Sequence, residues 1–180
     1  MALIRAYRLF SEGRAPNDSM GARIAGGRWN PPGYPVLYSS SHLSLACLEK
    51  LVHLPKGKMP KRLRYAYTDL PGDLASLDPG RQHLHQGLHH TAEIGKQWLT
   101  HANALAVRAP SILIPEESNI LLNPLHSGFD ALPWTWLPFD WDQRLLGLVA
   151  QPRYFLFDSP EGGIFGTQLG RCSPTRRGAL

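Results

Sequence analysis

Glycine and proline interrupt this chain at short intervals. Of its 180 residues, 17 are glycine and 16 are proline, well above their usual combined share of ~12%. Proline breaks a helix from within, and glycine weakens one. The sequence therefore argues against a helical bundle and favours short elements joined by many turns.

Apolar patterns between these breaks predict several strands and two helices. Helical spacing of apolar residues predicts a helix over 42–54, with serines 39–41 offering an N-cap, and a second helix over about 92–105 capped by Thr91. Alternating or short apolar runs predict strands at residues 2–10, 35–38, 63–67, 111–114, 120–122 and 138–145. This irregular order predicts an α+β fold, a single domain around a mainly antiparallel central sheet.

The composition of the chain changes near residue 150. The predicted elements all lie in residues 1–150, whereas residues 151–180 contain one short apolar segment and end in a polar, arginine-rich stretch. Such a stretch cannot bury enough apolar surface to order itself. We expect one domain over 1–150 and a poorly ordered C-terminal appendage over 151–180.

Three features bound the cellular context. No apolar run approaches the ~20 residues that span a bilayer. The charged start of the chain lacks the apolar region of a secretory signal, and the two cysteines, Cys47 and Cys172, are too few for a disulfide framework. We expect a cytoplasmic protein with no membrane association.

The basic residues are concentrated in one stretch. The formal net charge of the chain is +5, and residues 50–64 carry six lysines and arginines with no acid. This stretch would attract nucleic acid, an anionic cofactor or an acidic protein partner. It would equally suit a solvated helix end and loop, and the residues alone do not choose between these.

Three residues between positions 26 and 49 suit chemistry on a nucleotide. Arg28 follows a glycine pair, where its planar fork can bind a phosphate bidentately. Tyr38 offers a flat platform for a base, and Glu49 breaks the apolar pattern of its helix. Together they suit cleavage of a glycosidic bond through an oxocarbenium-like state. Each also has a structural reading, as a loop-bonding arginine, a core tyrosine and a surface ion pair.

The sequence of residues 21–49 resembles the signature of the RES domain, the toxin family of RES–Xre toxin–antitoxin modules. Residues 109–126 and 138–145 resemble two later blocks of that family. The resemblance implies a fold similar to ADP-ribosyltransferase toxins, activity on NAD as a substrate, and no cofactor. It makes Arg28, Tyr38, Glu49 and Ser111 the catalytic residues. It assigns substrate binding to a further set: Gly27, Trp29, Asn30, Asn119, Asn123 and His126.

The resemblance also implies a role for each catalytic residue. Arg28 would hold the pyrophosphate of NAD, and Tyr38 would stack on the nicotinamide. Glu49 would accept a hydrogen bond from the ribose 2′-OH and stabilise charge at C1′, while Ser111 would orient Glu49 or the ribose. The acceptor stays open between water, inorganic phosphate and a protein side chain. Histidines 83, 85, 89 and 90 lie in a glycine-containing loop, and we expect no metal there.

The leading function is therefore a toxin that degrades NAD by cleaving the nicotinamide–ribose bond, as a glycohydrolase or a phosphorylase. A protein ADP-ribosyltransferase using the same site is the close alternative. A basic nucleic-acid-binding or RNA-cleaving module is a remote one, and we expect no direct nucleic-acid binding. The resemblance implies an Xre-type helix-turn-helix antitoxin as partner and allows a homodimer within that complex.

Overall fold

The computed structural model describes residues 2–54, 60, 62–80, 88–101, 104–142 and 144–145. Within these residues, six strands and three helices alternate without a repeating unit. The strands are β1 (Leu3–Ser11), β2 (Leu37–Ser40), β3 (Leu63–Pro71), β4 (Ala106–Pro110), β5 (Ser118–Leu122) and β6 (Thr135–Phe139). The helices are α1 (Met20–Ala25), α2 (Leu43–Val52) and α3 (Leu88–His101).

The six strands form one sheet in the order β4-β5-β2-β1-β3-β6. Every neighbouring pair is antiparallel. Strands β1 and β3 pair along their whole length, from Leu3 opposite Pro71 to Ser11 opposite Leu63. By contrast, β1 pairs with β2 at Tyr7 opposite Ser40. The predicted α+β class with a mainly antiparallel sheet is confirmed.

Strand β5 packs against a hydrophobic core on each side of the sheet, because neighbouring residues of a strand point to opposite sides. On β5, Leu121 packs into a core with Trp29, Trp98 and Leu99. Its neighbours Ile120 and Leu122 belong to a second core that includes Phe129. Helix α3 thus covers one face, and the segment around Phe129 covers the other.

Helix α2 lies against the two central strands. Leu45 and Ala46 are its buried residues, and the helix contacts both β1 and β2. The helix predicted over 42–54 is confirmed, although its N-cap is His42 and no side chain makes a cap hydrogen bond. Since Glu49 lies one turn beyond Leu45, it shares the inward side of the helix.

The strand predicted over 111–114 is wrong. The strand in this region is β4, which ends at Pro110, and Ser111 begins a turn. The Ser111 hydroxyl accepts hydrogen bonds from the backbone N–H groups of Leu113 and Ile114. A serine that bonds nearby backbone in this way competes with strand pairing.

Other boundaries also differ from the predictions. The last strand is Thr135–Phe139 rather than 138–145, since the Asp142 carboxylate accepts the backbone N–H of Arg144 and turns the chain. Helix α3 begins at Leu88, so Thr91 lies inside it, fully buried, instead of capping it. Helix α1, within the glycine-rich segment, was not predicted; none of its residues is buried, so it shows no apolar face.

Two predicted segments lie wholly or partly outside the described residues. The predicted appendage, residues 151–180, lies outside the described residues, as does part of the basic stretch at 50–64. In the described part of the chain, no helix is long and apolar enough to cross a bilayer.

Replacing Gly95 with alanine tests how closely α3 packs on the segment that carries Arg28. A Cβ atom at Gly95 would overlap the main-chain carbonyl of Trp29. Alanine normally stabilises a helix interior by about 1 kcal/mol relative to glycine, but here overpacking should cost about 2–3 kcal/mol. Denaturant unfolding of Gly95→Ala should show this loss.

Gly21→Ala is the matched control, because a Cβ there meets nothing within 4 Å. It should leave stability unchanged or raise it by up to about 1 kcal/mol. Equal stability of the two variants would contradict the close contact between α3 and Trp29.

Candidate active site

Three polar side chains meet at one end of the sheet. Ser40 is the last residue of β2 and lies opposite Asn119 on β5. Asn119 in turn pairs with Ala109 of β4, two residues before Ser111. All three are buried or half-buried. Antiparallel pairing therefore gathers residues that are far apart in sequence beneath helix α2.

The carboxylate of Glu49 is held by two of these side chains. The Asn119 amide donates to Glu49 Oε1 at 2.8 Å, and the Ser111 hydroxyl donates to the same oxygen at 3.3 Å. Neither bond uses Oε2. The carboxylate is thus fixed through one oxygen while it lines the adjoining cavity.

Ser111 acts from behind Glu49. Its side chain is 1% exposed, and its hydroxyl accepts two backbone N–H groups while donating to Glu49. These three bonds use the whole hydrogen-bonding capacity of a hydroxyl. Of the two predicted roles, the geometry favours orienting Glu49 over contacting a ribose.

Ser40 completes this arrangement, and sequence reasoning assigned it no role in the site. Its hydroxyl donates to Asn119 Oδ1 at 2.9 Å. An amide that accepts at its oxygen presents its nitrogen in the opposite direction, so this bond directs the Asn119 donor toward Glu49. The available signal was the spacing from Tyr38, because residues two apart on a strand share a face.

Arg28 and Trp29 form the tip of a tight turn. Gly27 and Asn30 bracket it through paired backbone bonds, and Gly26 adopts a φ of 72°, a conformation that favours glycine. Trp29 is buried in the core, whereas Arg28 is half-buried and lines the cavity described below. The turn therefore uses the indole as an anchor and places Arg28 in the cavity wall.

Tyr38 and Asn30 hold this turn in place. The Tyr38 hydroxyl accepts the backbone N–H of Trp29 at 2.9 Å and donates to Asn30 Oδ1 at 2.7 Å. The Asn30 amide nitrogen donates to the carbonyls of Ala22 and Tyr34, each at 2.8 Å. Asn30 lines the cavity, but the oxygen and nitrogen of its side chain are engaged in the hydrogen bonds that hold the turn.

Gly27 allows the tyrosine to approach. A Cβ at this position would lie 2.6 Å from the Tyr38 hydroxyl oxygen, which is closer than atoms can pack. Burial raises the pKa of Tyr38 well above its ordinary range, so the phenol stays protonated and continues to donate to Asn30.

A cavity of about 1150 Å³ joins these features. Typical small-molecule sites measure about 300–1,000 Å³, so this one has room for a ligand of dinucleotide size. Most of the predicted site residues line it: Gly27, Arg28, Trp29, Asn30, Tyr38, Glu49 and Asn119.

Asn123 and His126, both predicted to bind substrate, do not line this cavity in the described part of the chain. Asn123 Oδ1 accepts the backbone N–H of Leu125, and His126 Nδ1 accepts that of Gly128. These bonds form consecutive turns after β5. The preference of asparagine for turns agrees with the bond that Asn123 makes, and substrate contact by Asn123 and His126 stays a prediction.

Sequence reasoning missed three further cations of the cavity wall: Arg8, Arg14 and Lys50. Burial lowers the pKa of Arg8 to about 10, so it remains charged at neutral pH. Burial also lowers the pKa of Lys50, and the charges of Arg8 and Arg14 lower it further.

Of the described histidines in the histidine-rich segment, His89 lines the cavity. His83 and His85 lie outside the described residues. Among the residues that are described, no three His, Cys, Asp or Glu side chains lie together in a way that would hold a metal ion.

Comparisons with known sequences give a consistent result. The model of the RES domain matches residues 5–142. A "Prs ADP-ribosylating toxin" from a Sphingobium species is 35% identical over 114 residues, covering 59% of this chain and 71% of that protein. A "Toxin Res" from Yersinia enterocolitica is 33% identical over 132 residues, covering 69% and 87% respectively.

A solved structure shares the fold. The crystal structure of the M. tuberculosis MbcT–MbcA toxin–antitoxin complex contains a chain that matches with a TM-score of 0.57 and 16% identity. The match covers 82% of this chain and 89% of that one. At this identity the likeness concerns the fold alone.

Tyr38→Phe tests whether the hydroxyl holds the arginine turn. The variant leaves the Trp29 N–H and Asn30 Oδ1 without their partner, and an unsatisfied buried group costs about 1–3 kcal/mol. We expect a stability loss of about 2–3 kcal/mol, measured by denaturant unfolding at neutral pH.

The pH dependence provides a second readout. Because the folded-state pKa of Tyr38 lies above its ordinary value of 10.0, its contribution is complete below pH 10 and is lost as the pH rises further. As the pH rises above 10, the Tyr38→Phe variant should therefore lose less folding stability than the wild type does. Tyr65→Phe is the control, since its hydroxyl joins no hydrogen bond between described residues; equal losses in both variants would contradict the assigned role.

Proposed function

Because this chain belongs to the RES domain family, we propose that it is the toxin of a toxin–antitoxin module and that it cleaves the nicotinamide–ribose bond of NAD. The observation that carries the proposal is the carboxylate of Glu49, fixed by Asn119 and Ser111 in the wall of a cavity that Arg28 and Tyr38 also line. Such a cavity combines an anion anchor, an aromatic ring and an oriented carboxylate.

Glu49 supplies the electrostatic part of the reaction. When the C1′–N bond breaks, its electron pair returns to the nicotinamide ring, which leaves as a neutral molecule. Positive charge then develops on the ribose. A carboxylate oriented in advance stabilises that charge without reorganising, and Oε2 is the oxygen not engaged by Asn119 or Ser111. Oε2 would also accept a hydrogen bond from the ribose 2′-OH.

Arg28 and Tyr38 would position the dinucleotide. The planar guanidinium of Arg28, at the tip of the turn, suits the pyrophosphate. Tyr38 also lies in the cavity wall, where the nicotinamide would stack on its ring. The hydroxyl bonds of Tyr38 tie these two groups into one unit. Correct spacing of the two contacts lowers the entropic part of the barrier.

An acceptor oxygen completes the reaction by bonding to C1′ and losing its proton. Water would give ADP-ribose, and inorganic phosphate would give an ADP-ribose phosphate ester. The second candidate function, transfer to a protein, is favoured by the name of the Sphingobium relative, an ADP-ribosylating toxin. Product analysis of NAD incubated with pure protein, with and without phosphate, separates water from phosphate. Turnover only when a protein acceptor is added would favour transfer.

An antitoxin partner follows from the same proposal. The M. tuberculosis structure with this fold is a toxin–antitoxin complex, and we propose a helix-turn-helix antitoxin of the Xre type for this chain. Since NAD is a cytoplasmic metabolite, the proposed site of action is the cytoplasm. Co-expression with the neighbouring reading frame, followed by co-purification, tests the partnership.

Glu49→Gln preserves shape and removes the charge. If Glu49 stabilises the transition state, kcat for NAD consumption should fall by about 10²–10³-fold with a smaller change in KM. Glu12→Gln is the control, because Glu12 pairs with Arg64 outside the cavity lining and should retain activity. A wild-type rate for Glu49→Gln would eliminate this role.

Arg28→Gln should chiefly weaken substrate binding. Loss of a charge-assisted contact to phosphate should raise the KM for NAD by about tenfold or more, with kcat less affected. Arg28→Lys keeps the charge without the planar fork, so an intermediate KM is expected. If KM is unchanged in both variants, Arg28 does not hold the pyrophosphate.

A further inference from the structure

Three cations line the cavity on elements other than the turn that carries Arg28. Arg8 lies on β1, Arg14 on the loop that follows β1, and Lys50 on α2. All three line the same cavity, and, besides burial, the charges of the two arginines lower the pKa of the Lys50 ammonium. Arg8 and Lys50 are 42 positions apart along the chain, so the fold itself brings them to one cavity.

The negative charge at this cluster is insufficient to neutralise it. Asp18 pairs with Arg14 through Oδ2 at 2.9 Å, and its other oxygen accepts the backbone N–H of Met20. Glu49 also lines the cavity, but its Oε1 accepts from Asn119 and Ser111. The described lining also includes Glu93, which pairs with Lys96. Its four arginines and lysines therefore outnumber its three carboxylates, in a wall partly withdrawn from water. Unrelieved repulsion of this kind is costly unless an anion binds.

Arg8 is also fixed in advance. Its two terminal nitrogens donate to the main-chain carbonyls of Pro16 and Asp18, at 3.2 and 2.6 Å. These carbonyls orient the guanidinium but carry no formal charge to cancel it. A guanidinium held in this way, beside a second arginine and a compact ammonium, matches the oxygens of a phosphate group.

We propose that Arg8, Arg14 and Lys50 form a second phosphate-binding subsite of the cavity, additional to Arg28. The inference rests on the proposed function, in which this cavity receives NAD. Two sources supply the same chemistry: free inorganic phosphate, or a phosphate group of the dinucleotide itself. The cluster would retain either through charge and hydrogen bonds.

The test measures equilibrium binding, so it does not depend on turnover. Inorganic phosphate and ADP are titrated separately into the 180-residue chain by calorimetry at physiological ionic strength, where weak surface attraction is screened. Lys50→Met and Arg14→Gln should each weaken binding of one ligand by about tenfold. Arg144→Gln removes the same charge from an exposed ion pair with Asp142 outside the cavity lining, and should bind as the wild type does.

The two ligands separate the sources. Weaker binding of inorganic phosphate, with ADP unchanged, identifies a site for a free phosphate. Weaker binding of ADP, with inorganic phosphate unchanged, identifies a site for the nucleotide. The subsite is refuted if both variants bind both ligands as tightly as the wild type, or if Arg144→Gln weakens binding equally.

Two further variants guard against loss of folding. Lys50→Arg keeps the positive charge and should retain wild-type affinity. If Lys50→Met does not fold, Arg14→Gln decides, because the Arg14 side chain is 58% exposed. Absence of NAD consumption by the wild type, with weakened phosphate binding in the variants, would refute the proposed function and leave the subsite standing. NAD consumption by the wild type, with phosphate binding unaltered in the variants, would refute the subsite and leave the proposed function standing.

Discussion

The Asn119 amide carries the contact on which the rest of the site depends. Its oxygen accepts from Ser40 and its nitrogen donates to Glu49, so one side chain connects two sheet strands to helix α2. Because an amide has a donor end and an acceptor end, this connection has only one satisfied orientation. The carboxylate of Glu49 is consequently aligned by the sheet itself, and Ser111 supports it from the end of the neighbouring strand.

A second network sets the position of Arg28. The Tyr38 hydroxyl secures the turn from below, Asn30 ties it to α1, and the Trp29 indole is buried beneath α3. Tyr38 and Ser40 lie two residues apart on β2, and they serve the arginine turn and the carboxylate respectively. One four-residue strand thus fixes the spacing between the groups proposed to bind the pyrophosphate and the ribose.

The sequence was sufficient where local pattern decides the outcome. Glu49 stood out because it interrupts the apolar face of a helix, and glycines 26 and 27 marked the turn that presents Arg28. Local pattern failed for Ser111, where an apolar run resembled a strand although the serine hydroxyl bonds the following backbone. It also could not reveal that Arg8 and Lys50 line one cavity, because this depends on helix α2 packing against β1. Asn123 and His126 lie in turns after β5, and their predicted contact with substrate stays a prediction.

The sparse pairing between β1 and β2 has a mechanical consequence. Tyr7 opposite Ser40 is the register pair at this seam, which divides the sheet into a half with Asn119 and a half with Arg8. Backbone hydrogen bonds therefore contribute little stiffness between β1 and β2. Helix α2 contacts both strands and so also joins the two halves of the sheet. Force or partner binding that tilts this helix would alter the distance between the two halves, and with it the alignment of any ligand that bridges them.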